Sequence, residues 1–244
     1  MKPTSRRTAL ILLVLATTGV SSAAAAPATF PGPDQAPSSQ LLSPSESSAK
    51  PPSTAQVVII GDSLSTGHGT SPDIAWPKLL QDDTRGGRRP LAIVNAAADG
   101  SGYVRSGDGG STFLSQVDAS VQKKTRVVLV FGSENDMGTG SIQLKKAVSA
   151  TITEIRAKAP DARVVLVGPP SYTDAPESER LQVRDQARAA ATAADAVFVD
   201  PIREQWIMGL AGELIGPDGD HPSVEGQHYL QTKMEKIIVG NLPD

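Results

Sequence analysis

Gln56-Val57-Val58-Ile59-Ile60-Gly61-Asp62-Ser63-Leu64-Ser65-Thr66-Gly67 is the stretch on which the reading of this chain turns. Its apolar, β-branched run does not alternate with polar residues, so it reads as a strand buried on both faces. Gly61 breaks that run into a tight turn and lifts Ser63 off the strand's carboxyl end, the rim where open α/β sheets place their ligands. A serine there, ahead of a helical turn, keeps its own N–H free and has a partly positive helix end behind it. That suits a nucleophile whose attack generates an oxyanion. A plain N-cap serine on a βα turn is the simpler alternative, so the rest of the chain must supply a base, its orienter and further oxyanion donors.

Outward from this strand, taken as residues 57–60, four more strand-like runs follow at 91–95, 126–131, 163–167 and 196–200. Helical patterns alternate with them. Residues 75–81 form the first; residues 113–122 place Leu114, Val117 and Val121 on one face. Residues 142–158, with Ser141 as the expected cap, put Val148, Ile152 and Ile155 at core spacing. Residues 176–194 open on a proline and two acids, as a helix start prefers. The last helix, 224–239, is expected to be capped by Ser223 and to bury Leu230, Met234, Ile237 and Ile238. Five strands alternating with helices predict an α/β fold with a parallel sheet covered on both faces.

Composition narrows the function classes. With 39% hydrophobic and 20% charged positions the chain has ordinary globular usage. Cysteine is absent, which excludes disulfides, thiolate metal sites, a cysteine nucleophile and a lipidated N-terminal cysteine. A net charge of −3, without a basic run in the expected domain, argues against a nucleic-acid partner.

The first residues follow a targeting grammar. Lys2, Arg6 and Arg7 precede an apolar run from Ala9 to Val20, and small residues from Ser21 to Ala26 offer A-x-A cleavage sites. That run is shorter than the roughly 20 residues a membrane span needs, so residues 1–26 are expected to be a cleaved export signal, not an anchor. Ser5-Arg6-Arg7 hints at the twin-arginine route, although Ala9 replaces the usual bulky residue. Losing three cations and no acid would carry the mature net charge to −6, ill suited to anionic lipid. Residues 27–54 are rich in Pro, Ser and Ala without periodicity, and are expected to be a disordered spacer. Residues 55–244 then form one domain with one core.

In a parallel sheet the loops after the strands share one rim, so their contents can be pooled. The first holds Gly61-Asp62-Ser63; the second holds Asn95-Ala96-Ala97-Ala98-Asp99-Gly100 and a glycine-rich continuation through Tyr103 to Ser111. The third holds Gly132-Ser133-Glu134-Asn135-Asp136, and the fourth Gly168-Pro169-Pro170-Ser171-Tyr172. Before the last helix comes Pro217-Asp218-Gly219-Asp220-His221-Pro222. Of the three histidines, His228 would be carried about 10 Å down a helix axis, away from the rim. His68 has no carboxylate at short fixed spacing to orient it. His221 sits at the mouth of a helix, three residues after Asp218, close enough for that carboxylate to turn back onto Nδ1. Asp220 is the rival orienter. Ser63 N–H, Gly100 N–H and the Asn135 amide are the candidate oxyanion donors, although a turn glycine and an Asx-turn asparagine would look the same singly.

Together these residues resemble the SGNH (GDSL-type) hydrolase family, through four blocks spread from Gly61 to Pro222. Gly61-Asp62-Ser63-Leu64-Ser65 matches the nucleophile block, Asn95 to Gly100 the oxyanion-glycine block, Asn135-Asp136 the asparagine block, and Asp218 to Pro222 the Asp-His block. One departure is an extra residue between Gly132 and Asn135, against the usual G-x-N-D. The resemblance implies a flavodoxin-like three-layer fold with a five-stranded parallel sheet. It also implies cofactor-free and metal-free ester hydrolysis through an acyl-serine, in a shallow cleft.

Asp62 and Asp136 are expected to hold their turns by side-chain-to-backbone bonds, and Trp76 to pack beneath the rim. The loop containing Tyr103, together with Tyr172, is expected to meet substrate by position. With only 4% aromatic residues and no long apolar lid, a short acyl ester fits better than a lipid tail, with carbohydrate or cell-envelope esters as candidates. Two other readings share the same residues: an acyltransferase using the same triad, and a non-catalytic glycan- or partner-binding module on the hydrolase scaffold.

Overall fold

The strand 57–60 expected from its apolar run lies at the middle of a parallel sheet, as part of β1 (Ala55–Gly61), bonded to β2 (Leu91–Asn95) on one side and β3 (Thr125–Phe131) on the other. The computed structural model describes residues 54–85 and 90–243, all within one compact unit. The export signal expected at 1–26, and all of the expected spacer except Thr54, lie outside the described residues. Beyond β3 come β4 (Arg163–Val167) and the short edge strand β5 (Val197–Val199), giving the order β2-β1-β3-β4-β5. This is the flavodoxin-like order.

Successive side chains of a strand point to opposite faces, and β1 shows why the sheet needs two covering layers. Val58 and Ile60 face a core built with α3 (Phe113–Ser120), α4 (Ser141–Lys158) and α5 (Ser178–Ala193). Val57 and Ile59 face the other core, where Trp76 and Leu80 of α2 (Trp76–Thr84) meet Leu230, Met234 and Ile238 of the C-terminal helix. All four strand residues are sealed from solvent. A run buried on both faces needs no polar alternation, and none is present.

The short α1 (Ser63–Thr66) follows β1 directly, the four-residue α6 (Ala211–Leu214) follows β5, and α7 (Val224–Gly240) closes the chain. Ser223 caps α7 as expected, its hydroxyl accepting from the Gly226 N–H at 3.0 Å. Among described residues, no helix is long and apolar enough to cross a membrane.

Two local expectations change. Ser141 is the first residue of α4 and Gly140 occupies the cap position, with no side-chain capping bond. Position α3 buries Phe113 and Gln116 with Val117, while Leu114 is only partly covered. Between β5 and α7, Trp206, Ile207 and Leu214 are buried.

Candidate active site

Where the strand order reverses, between β1 and β3, connections leave in opposite directions and open a crevice at the sheet's carboxyl end. Ser63 stands at the first position of α1 on one side of it, and Asn135 lies in the turn after β3 on the other. Ser63 is 7% exposed. Being the first helical residue, it has no intrahelical acceptor for its N–H. Asp62 caps α1 in its place, accepting from Leu64 N–H at 3.0 Å. Beneath, the buried Gln116 amide grips both polar groups of Gly61 at 2.9 Å, fixing the strand end from which Ser63 departs.

The same Asp62 accepts from Ser133 N–H at 2.9 Å, so one carboxyl joins the serine turn to the asparagine turn. Gly132 makes this approach feasible. It has φ +112°, and a Cβ there would fall 2.1 Å from Asp62 Oδ2. Burial, reinforced by Glu134, pushes the Asp62 carboxyl up to about 8.

Asn135 Nδ2 donates to the Ser101 carbonyl at 2.9 Å, next to Gly100. An amide has two N–H groups, so one remains for a ligand. Gly100 adopts φ +72°, a backbone that glycine tolerates without strain. Asp136 accepts from Tyr103, Val104 and Arg105 N–H groups at 2.7, 3.0 and 2.8 Å, and so carries the glycine-rich loop to the asparagine turn. Beside Asn135 opens a cleft of about 570 Å³, lined among others by Val104, Arg105, Met137 and Gln143.

The third part of the rim is the loop before α7. An antiparallel bridge between Ile215 and Pro222, and the Gly216 N–H bonded to the His221 carbonyl at 2.7 Å, close it into a tight turn. His221 Nδ1 lies 2.9 Å from Asp218 Oδ2. The N–H groups of Asp220 and His221 both donate to Asp218 Oδ1, and with the imidazole they hold its carboxyl far below the usual range. Asp220 contributes only its backbone to this arrangement. The His221 ring meets the loop that leaves the Ser63 helix: a Cβ on Gly69 would lie 3.1 Å from His221 Cβ, and the His68 ring centroid is 4.1 Å away. Among the described residues, no group of three or more His, Asp or Glu side chains is arranged to hold a metal ion.

The four blocks are therefore brought to one rim in the order the sequence has them. A family model for the GDSL-like lipase/acylhydrolase family matches residues 59–229. The chain belongs to that family. A GDSL lipase of Mycobacterium tuberculosis is 37% identical over 188 residues, covering 75% of this chain and 80% of that protein. Esterase TesA of Pseudomonas aeruginosa is 24% identical over 177 residues, covering 71% and 83%. The crystal structure of the esterase EstA from Pseudoalteromonas superposes with a TM-score of 0.61 at 22% identity, covering 76% of this chain and 97% of that one.

Within this family frame, the extra residue after Gly132 has a place. Ser133 takes up φ +78°, rare for a residue with a side chain, and turns Glu134 inward. There Glu134 accepts from Arg180 Nη1 at 2.6 Å and from the Tyr172 hydroxyl at 3.1 Å. Tyr172, expected at the substrate, thus has its hydroxyl committed to Glu134 and its ring under the Arg180 guanidinium at 5.1 Å. Tyr103 is a clearer correction. It is 6% exposed and stacks edge-on against Phe113 at 4.9 Å, because Asp136 pulls its backbone inward. Trp76 packs as expected, buried and donating to Ser65 Oγ at 3.2 Å. His228 is exposed on α7, away from these loops. His68 does have an orienter, Asp99, which sequence spacing missed because it lies 31 residues away on the neighbouring strand's loop.

Proposed function

We propose that this protein is an exported serine esterase acting on short acyl esters. In the proposed cycle Ser63 Oγ bonds to the ester carbonyl carbon while His221 Nε2 takes its proton. Asp218 holds the Nδ1–H tautomer and stabilises the imidazolium as it forms. The carbonyl oxygen becomes an oxyanion held by Ser63 N–H, Gly100 N–H and Asn135 Nδ2–H. Collapse breaks the bond to the alkoxy oxygen, which leaves with the proton from His221. Water then attacks the acyl-serine by the same route in reverse, releasing the acid and restoring Ser63.

The observation that carries this reading is the seating of the Asp218–His221 pair against the loop that leaves the Ser63 helix. The open cleft beside Asn135 supports a small acyl group, and the targeting grammar of residues 1–26 supports export. Carbohydrate or cell-envelope esters fit such a location.

The test is a phosphonate ester reagent applied to the folded protein. A single adduct on Ser63, absent from Ser63→Ala, together with a loss of turnover on the order of 10⁶ in that variant, is the expected result. An unlabelled Ser63 would overturn the reading. A series of p-nitrophenyl esters should be cleaved fastest at acetate to butyrate; a preference for long chains would remove the short-acyl part alone. Amino-terminal sequencing of protein recovered outside the cells should begin after the small-residue run, and an intact Met1 there would count against the cleaved signal.

A further inference from the structure

His68 has no role in the cycle above, yet it is held with care. Its Nδ1 lies 2.5 Å from Asp99 Oδ2, and the other oxygen of Asp99 accepts the Thr66 hydroxyl at 2.5 Å. Thr66 ends the Ser63 helix, and Asp99 immediately precedes Gly100. The imidazole is about half exposed and its ring contacts that of His221, with centroids 4.1 Å apart and planes tilted by 41°. Ordering an exposed side chain costs rotamer entropy, and a surface histidine has no need of a carboxylate that is itself tethered.

The tether fixes the chemistry. With Nδ1–H donated to Asp99, the neutral ring presents Nε2 as a directional acceptor pointing away from that carboxylate. The position fixes the side of the substrate. His221 hands its proton to the departing alkoxy oxygen, so a group in contact with its ring lies at the alcohol half of the ester. The carbonyl oxygen is already provided for by Gly100 and Asn135.

We propose that His68, oriented by Asp99, determines specificity for the alcohol half of the substrate: its Nε2 accepts a hydrogen bond from a hydroxyl next to the ester oxygen, so esters of polyhydroxy alcohols are preferred. This rests on the serine-esterase reading and adds to it the class of alcohol. An alcohol without that hydroxyl leaves Nε2 to water. Because the site is open to solvent, the discrimination is that of one net hydrogen bond, roughly fivefold.

A matched pair of substrates tests it: 2-hydroxyethyl acetate and n-propyl acetate have the same length and differ by hydroxyl against methyl. The ratio of their kcat/KM values, measured by acid release, is compared between wild type and His68→Phe, which keeps a ring against His221 and removes the nitrogens. Intrinsic reactivity cancels in that comparison. The ratio should fall roughly fivefold in His68→Phe, and His68→Gln, which retains an acceptor on a shorter reach, should restore part of it. A purely structural role would lower both rates together, and an unchanged ratio in folded His68→Phe overturns the proposal while leaving the esterase reading intact. If folded wild-type protein cleaves neither acetate nor p-nitrophenyl acetate, the esterase reading fails and this inference falls with it.

Discussion

The Asp62 carboxyl accepts the Ser133 N–H at 2.9 Å with one oxygen while the other caps the Ser63 helix, so the Ser63 turn and the Asn135 turn share one buried acid. Burial lifts that acid from 3.8 to about 8, and Glu134 and Asp136 are raised by burial in the same direction. The native state therefore keeps a proton that the unfolded chain releases near pH 4. Raising the pH from that point favours unfolding, and this loss is complete once pH passes the folded value. The melting temperature should fall between pH 5 and pH 8, and fall less steeply in Asp62→Asn. Calorimetry across that range checks it; an identical slope in the variant would assign the effect to other groups.

The Asn135 amide reaches the Ser101 carbonyl with one N–H, so a second remains for a ligand. Asn135→Ala should lower kcat by on the order of 10²–10³, with KM changed much less, because an oxyanion donor acts on charge that develops only in the transition state. Steady-state kinetics on a p-nitrophenyl ester separates the two parameters. Wild-type kcat in this variant would remove Asn135 from the proposed mechanism.

Asp218 and Asp220 are two residues apart, yet only Asp218 places a carboxylate oxygen on His221 Nδ1. Asp220 contributes its N–H, which any substitution except proline keeps. Asp218→Ala should cost between roughly 10² and 10⁴ in kcat, while Asp220→Ala should stay within a fewfold of wild type. Three donors hold the Asp218 carboxyl ionised well into acid, so its titration should not contribute to pH-rate profiles above pH 4. The reverse ranking of the two variants would transfer the orienting role.

What the sequence displayed plainly was whatever is local or periodic. The unbroken apolar run of β1, the helix faces, the Ser223 cap and the three-residue spacing of Asp218 and His221 are short-range patterns. Partnerships made by strand adjacency were hidden. Asp99 meets His68 because β2 lies beside β1, and Arg180 meets Glu134 across 46 residues because α5 packs against the β3 turn. Tyr103 misled for a related reason: a glycine-rich loop reads as surface, while Asp136, 33 residues on, draws its backbone in. Pooling the loops of adjacent strands and looking for His–Asp pairs among them would have found Asp99.

Glu134 and Arg180 form an ion pair with side chains only 9% and 5% exposed, and Glu134 immediately precedes Asn135. Burial raises the Glu134 carboxyl even against the guanidinium beside it, whereas Glu177 and Glu134 together hold Arg180 firmly protonated. Removing one partner strands the other charge out of water, which typically costs about 3–5 kcal/mol, while removing both is nearly neutral. Arg180→Met should therefore destabilise the fold strongly, and Glu134→Gln with Arg180→Met should recover most of the loss. Chemical denaturation of wild type, Glu134→Gln, Arg180→Met and the double variant measures this coupling directly. Activity should follow a different order. Glu134 fixes the turn that presents Asn135, so the double variant, although refolded, should retain a lowered kcat with KM little changed. Full recovery of kcat alongside stability would mean that the pair serves the fold alone and that Asn135 is positioned without it.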